Sequence, residues 1–216
     1  MKVKICGITS LKDAKSAQTA GADMIGFVFA RSRRQISLDE AAMIVTELDS
    51  SMKTVGVFVN APYEEVNHIA HTAGLDYVQL HGQESEEYRK KVKFPVINAV
   101  SVKEEVDLQQ VDDSNCEYLL FDGARAGSGQ VFQWNLLQTF SGTKTKLILA
   151  GGLSPDNVSE AIKSVKPDMV DVSSGVEMNG KKDAALMSDF VKRAHASFRQ
   201  LTIEMGNKHE NLHTTR

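Results

Sequence analysis

The chain is predicted to fold as a single-domain α/β structure, a (β/α)8 TIM barrel. Three observations point there. Short apolar stretches alternate with amphipathic ones from end to end, eight of each. The apolar stretches are rich in Val, Ile, Leu and Phe, as strands covered on both faces should be. An acidic residue also heads every second strand: Asp23 before Met24-Ile25, Asp76 before Tyr77-Val78, Glu117 before Tyr118-Leu119 and Asp168 before Met169-Val170. This four-fold echo of a two-unit module suits a closed barrel. A doubly wound open sheet has no reason to show it.

In chain order, the strands are expected at Val3–Cys6, Met24–Phe29, Thr54–Val59, Tyr77–Leu80, Val96–Val100, Tyr118–Asp122, Leu147–Ala150 and Met169–Val172. The helices between them are expected at Leu11–Ala20, Leu38–Leu48, Tyr63–Ala73, Glu84–Val92, Lys103–Val111, Asn135–Phe140, Pro155–Val165 and Asp183–Phe198. Ser37, with Glu40 three residues on, forms the signature of a capping box. Ser154-Pro155 supplies an N-cap followed by proline at the first helical position. Residues 1–200 make up the barrel. Residues 201–216 are polar and aperiodic, and read as an extension of the last helix or a disordered tail.

The composition narrows the function classes. With 216 residues, 42% apolar and 25% charged, the chain suits one soluble domain with a sizeable core. A formal net charge of -3 gives no electrostatic footprint for a nucleic acid or a membrane. The chain enters a strand at once, which argues against a signal peptide, and it has no apolar run of spanning length. Cys6 ends the first strand and Cys116 starts the sixth, on opposite faces of the barrel. Two free thiols and a reducing, cytoplasmic compartment follow. No Cys/His set has metal-ligand spacing.

A barrel carries its chemistry on the loops after its strands. Those strand ends read Cys6-Gly7, Phe29 through Arg34, Val59-Asn60, His81-Gly82, Ser101, Asp122-Gly123, Gly151-Gly152 and Ser173-Ser174-Gly175. Gly151-Gly152 follows strand seven and Ser173-Ser174-Gly175 follows strand eight, the two loops where many barrels hold phosphate through backbone N–H groups. Alternation along a strand places Lys4 and Cys6 on one face, and Tyr118, Leu120 and Asp122 on one face. If both sets face the axis, a thiol and a carboxyl point across one mouth, as an acid and a base flanking one substrate would. The same parity predicts a Lys4–Asp171 pair inside the barrel. Arg34, in the run Arg31, Arg33, Arg34, offers a planar fork for a carboxylate. His81 is a candidate ligand contact, and Gly127-Ser128-Gly129 a candidate lid.

Seven stretches together resemble the phosphoribosylanthranilate isomerase family. They are Lys4-Ile5-Cys6-Gly7-Ile8-Thr9, Gly26-Phe27-Val28-Phe29 with Ser32-Arg33-Arg34, Val78-Gln79-Leu80-His81-Gly82, Leu120-Phe121-Asp122, Phe132-Gln133-Trp134, Leu149-Ala150-Gly151-Gly152-Leu153 and Asp171-Val172-Ser173-Ser174-Gly175-Val176-Glu177. The resemblance implies an Amadori rearrangement of N-(5-phospho-D-ribosyl)anthranilate to 1-(2-carboxyphenylamino)-1-deoxy-D-ribulose 5-phosphate, in tryptophan biosynthesis. It implies Asp122 as general acid and Cys6 as general base. Arg34 would hold the anthranilate carboxylate, with further substrate contacts from His81, Gly151, Gly152, Asp171, Ser173, Ser174 and Gly175. No cofactor and no metal are implied, because the substrate nitrogen serves as electron sink. The expected partner is a small phosphorylated substrate and the expected state a monomer. The alternatives are a non-catalytic phosphate-binding barrel and the related histidine-pathway isomerase, which uses two aspartates where this chain has Cys6 on the first strand.

Overall fold

A computed structural model describes residues 2–102, 111, 113–123, 134, 137 and 145–213, with side chains through 204. Eight parallel strands close into a barrel in sequence order: β1 (Lys2–Cys6), β2 (Met24–Val28), β3 (Lys53–Phe58), β4 (Tyr77–Leu80), β5 (Val96–Val102), β6 (Tyr118–Gly123), β7 (Lys146–Leu149) and β8 (Met169–Val172). Closure comes from β8 lying beside β1, with Lys4 and Asp171 directly opposed. Every predicted strand is present, with ends shifted by no more than two residues.

The helices are α1 (Leu11–Ala20), α2 (Leu38–Thr46), α3 (Tyr63–Thr72), α4 (Glu86–Arg89), α5 (Val158–Val165) and α6 (Ala184–His213). The capping box before α2 is complete: Ser37 accepts from the Glu40 N–H, and the Glu40 side chain accepts from the Ser37 N–H. Two expectations need correction. The helix expected over Glu84–Val92 shrinks to one turn, because Ser85 caps it and the Glu84 carboxylate instead accepts from the N–H groups of Asn60 and Gly82. The helix expected from Pro155 begins at Val158, because Asn157 ties the preceding residues into a turn by accepting from the Ser154 N–H and donating to the Gly152 carbonyl. The expected helices over 103–111 and 135–140, and the Gly127-Ser128-Gly129 segment, lie outside the described residues, apart from Val111 and Leu137.

The structure explains the four-fold repeat. Asp23, Asp76 and Asp168 each accept a hydrogen bond from the N–H at the start of the preceding odd strand: Val3 at 2.8 Å, Thr54 at 2.9 Å and Leu147 at 2.8 Å. Each acid therefore closes a backbone donor at the barrel floor and fixes the register of an odd–even strand pair. Glu117, one methylene longer, turns sideways to the Tyr77 hydroxyl and to Lys146.

Side chains alternate as the parity argument requires. Met24, Val55, Ile97, Ala99, Tyr118, Leu120, Ile148, Ala150 and Met169 fill the barrel interior. The intervening residues, such as Leu119 and Phe121, face the helices and join the larger outer core. Full burial of each such large apolar side chain is worth about 1.5–3 kcal/mol. The interior thus runs from apolar layers at the floor to a polar rim at the C-terminal ends of the strands.

After β8 the chain makes a 3₁₀ turn (Ser174–Val176) and a small antiparallel hairpin, β9 (Glu177–Met178) and β10 (Lys181–Lys182). Its turn residues, Asn179 and Gly180, both have positive φ, 51° and 77°, the geometry that two-residue hairpins prefer.

Candidate active site

Cys6 ends β1 and Asp122 lies near the end of β6. Both sit on the interior face at the same end of the barrel, 8% and 7% exposed. Neither is an inert core residue by position, since the mouth is where the polar side chains collect. Cys116 lies two residues before β6 at the opposite end, and no disulfide joins it to Cys6.

The predicted interior pair is present: Lys4 Nζ lies 3.1 Å from Asp171 Oδ1, and Lys4 is fully buried. Asp171 therefore spends one carboxylate oxygen on Lys4, just below the rim. Ser173, two residues on, donates from its hydroxyl to the Cys6 carbonyl at 3.0 Å and so links β8 to the end of β1.

Arg34 reaches this side from the loop after β2. Its aliphatic stem crosses directly over Gly7: a Cβ there would fall 2.4 Å from Arg34 Cδ, and Gly7 has φ +76°. The guanidinium is anchored by Glu177, with Nε to Oε1 at 2.6 Å and Nη2 to Oε2 at 3.1 Å. That engages one edge of the fork and leaves the Nη1 edge for a ligand. Arg33 also reaches Glu177, at 2.6 Å. Lys182 completes the cluster by donating to Glu177 at 3.0 Å and to the Ser173 carbonyl at 2.8 Å. Glu177 is thereby held ionised against its own burial by Arg34 and Lys182.

Sequence reading missed Glu177 and Lys182 as site residues. The available signal was Asn179-Gly180, a hairpin turn that folds both flanking residues back onto the mouth.

On the other side of the mouth, His81 Nε2 lies 3.8 Å from Asp122 Oδ2. Among the described residues that buried nitrogen has no hydrogen-bond partner, and neither has Gln79 Oε1 one layer below. Burial, then the Lys4 charge, depresses the His81 pKa, so the imidazole is neutral near pH 7.

The two glycine loops lie together. A Cβ on Gly175 would fall 1.8 Å from the Leu153 carbonyl oxygen, so only glycine lets the loop after β8 meet the loop after β7. Gly151 (φ +82°) is also tightly packed: a Cβ there would lie 2.5 Å from the Gly123 nitrogen and 2.9 Å from Asp122 Oδ1. Asp122 is thus joined to Gly151, Gly152, Ser174 and Gly175 in one continuous rim.

Electrostatics separates Asp122 from Cys6. Burial, reinforced by Asp171, pushes the Asp122 carboxyl up to about 6. Burial also pushes the Cys6 thiol above its ordinary 9.0, against the opposing pull of Lys4. In this dry site burial outweighs the nearby cation. Among the described residues no cluster of His, Cys, Asp or Glu is arranged to hold a metal ion.

A family model described as N-(5'phosphoribosyl)anthranilate (PRA) isomerase matches residues 3–193. The chain belongs to the phosphoribosylanthranilate isomerase family. It is 48% identical over 196 residues to the N-(5'-phosphoribosyl)anthranilate isomerase of Oceanobacillus iheyensis, covering 88% of this chain and 95% of that one. It superposes on a phosphoribosyl anthranilate isomerase bound to reduced 1-(o-carboxyphenylamino)-1-deoxyribulose 5-phosphate, with TM-score 0.83, 40% identity, and 91% and 99% of the two chains covered. Monomers generated from the dimeric enzyme of Thermotoga maritima match with TM-score 0.82, 39% identity and the same coverage.

Proposed function

We propose that the chain converts N-(5-phospho-D-ribosyl)anthranilate to 1-(2-carboxyphenylamino)-1-deoxy-D-ribulose 5-phosphate, the isomerase step of tryptophan biosynthesis. The observation that carries this reading is the opposed pair at the mouth: a buried thiol on β1 and, on β6, a carboxyl pushed up to about 6 by burial.

Asp122 holds a proton far better than an ordinary aspartate and donates it to the ribose ring oxygen. The C1–O bond then breaks, and the substrate nitrogen takes up the positive charge as an iminium. Cys6, as thiolate, removes the C2 proton. The C2–H electrons form the C1–C2 double bond and the iminium π electrons return to nitrogen. The resulting enolamine tautomerises to the ketone. Gly151, Gly152, Ser173, Ser174 and Gly175 receive the phosphate, and Arg34 receives the anthranilate carboxylate on its Nη1 edge. His81 donates or accepts as a neutral imidazole. Asp171 acts beneath the substrate through Lys4.

The thiolate and the protonated carboxyl are required together, yet the thiol ionises above 9.0 and the carboxyl near 6. Only a minor fraction of molecules holds both states at once. The proposal therefore predicts a kcat/KM that rises to a plateau above about pH 6 and falls again on the alkaline side of 9.

The test is complementation of a tryptophan auxotroph lacking the isomerase. Wild type restores growth and Cys6→Ala does not; failure by a well-expressed wild type overturns the reading. We read the chain as a cytoplasmic monomer, supported by two cysteines that are not joined in a disulfide and by large exposed apolar side chains that, among the described residues, come from four different segments, at Met43, Val59, Met178 and Ile203. Light scattering of the purified chain tests the monomer.

A further inference from the structure

Cys6 needs a partner that favours its anion, and the charges near it are few. Lys4 shares its strand and face. Asp171 lies on β8, Lys182 on β10, and Arg34 arches over the adjacent Gly7. Asp122 and His81 face it from across the mouth.

Lys182 is committed elsewhere, to the Ser173 carbonyl, the Ser173 hydroxyl and Glu177. Arg34 is anchored by Glu177. Lys4 is different. It is fully buried, out of reach of water, and the oxygen it contacts is Asp171 Oδ1. That leaves ammonium protons directed elsewhere.

Gly26 shows where they go. It is the residue of β2 paired with Cys6, and its missing side chain leaves a recess on the interior face. A Cβ there would fall 2.8 Å from Cys6 Sγ and 3.3 Å from Lys4 Nζ. Thiol and ammonium meet over the same bare Cα, with Asp171 holding the ammonium from the far side.

We propose that Lys4 is a positioning residue for Cys6: clamped by Asp171 and seated in the recess over Gly26, its ammonium is the charge partner that favours the anion of the Cys6 sulfur. This rests on the reading of Cys6 as the base. Lys4 touches no reacting atom. It acts through the sulfur, and Gly26 acts through both by staying small. The geometry agrees with the electrostatics, in which Lys4 is the leading influence opposing burial at the thiol.

The experiment follows the ultraviolet thiolate absorbance of Cys6 against pH in a Cys116→Ser background, alongside kcat/KM. In Lys4→Met the ionisation midpoint moves up by at least one unit. kcat/KM at neutral pH falls at least tenfold, and the deficit shrinks as pH rises toward the new midpoint. A purely structural lesion would not recover with pH. Competitive inhibition by inorganic phosphate stays unchanged.

Loss of a buried cation threatens the fold, so Gly26→Ala is the second variant. It keeps every charge but forces sulfur and nitrogen apart, and it also moves the midpoint up. An unmoved midpoint in the variants that fold, read by circular dichroism, overturns the inference. If the wild type lacks isomerase activity, the proposed function fails, while the thiol titration still decides the Lys4–Cys6 coupling.

Discussion

The two sides of the barrel mouth solve the problem of buried polarity differently. On the β8–β1–β2 side the buried charges have their partners in place: Lys4 with Asp171, and Glu177 with Arg34 and Lys182, joined by the exposed Arg33. On the β4–β6 side, among the described residues, Gln79 Oε1 and His81 Nε2 are buried without partners, and Asp122 has the Gly123 N–H and a distant imidazole. The first side is a finished electrostatic frame. The second keeps polar capacity unspent, which costs stability and suits groups that change protonation during a reaction.

The widest break falls on the proposed base and acid, one on each side. Cys6→Ala and Asp122→Asn should each lower kcat by about 10²–10⁴ while phosphate binding survives, and Cys116→Ser should leave turnover intact. Steady-state kinetics with folding checked by circular dichroism decides this.

Stability should then respond with opposite signs. Asp171→Asn breaks a buried pair and strands Lys4, so urea unfolding should show a loss of about 3–5 kcal/mol. Asp122→Asn should stabilise. The Asp122 pKa is about 6 in the folded chain against 3.8 ordinarily, so its ionisation opposes folding. That cost is absent below about pH 4, grows through the interval and is complete above about 6. At neutral pH the asparagine variant should gain about 2–3 kcal/mol, and the gain should vanish in acid. A destabilised Asp122→Asn at neutral pH would contradict the idea of unspent capacity on that side.

The smallest effect concerns aim rather than charge. Glu177→Gln keeps the shape but weakens the hold on Arg34. KM should rise about 5–30-fold with kcat little changed, the equivalent of about 1–2 kcal/mol. Arg34→Lys should be worse, because lysine has no second edge to offer.

Much of this was legible in the residues. Strand positions were, because an apolar run between glycines and acids has one sensible reading in a parallel sheet. The Lys4–Asp171 pair was, because parity fixes which face a strand residue shows and closure puts β1 beside β8. The anchoring of Arg34 was not, since Glu177 reaches it through a hairpin whose only marker was Asn179-Gly180. The α4 boundaries failed for a related reason: Glu84 is a good helix former, but its carboxylate is spent on two loop N–H groups. The upward push on the thiol depends on exclusion of water, which sequence spacing does not report.

The ion pair that closes the barrel joins residues 167 positions apart. During synthesis, Lys4 leaves the ribosome early and its counterion 167 residues later. A chain that stops short of β8 lacks that counterion, so a truncated product would carry an unpaired lysine that invites unfolding and proteolysis.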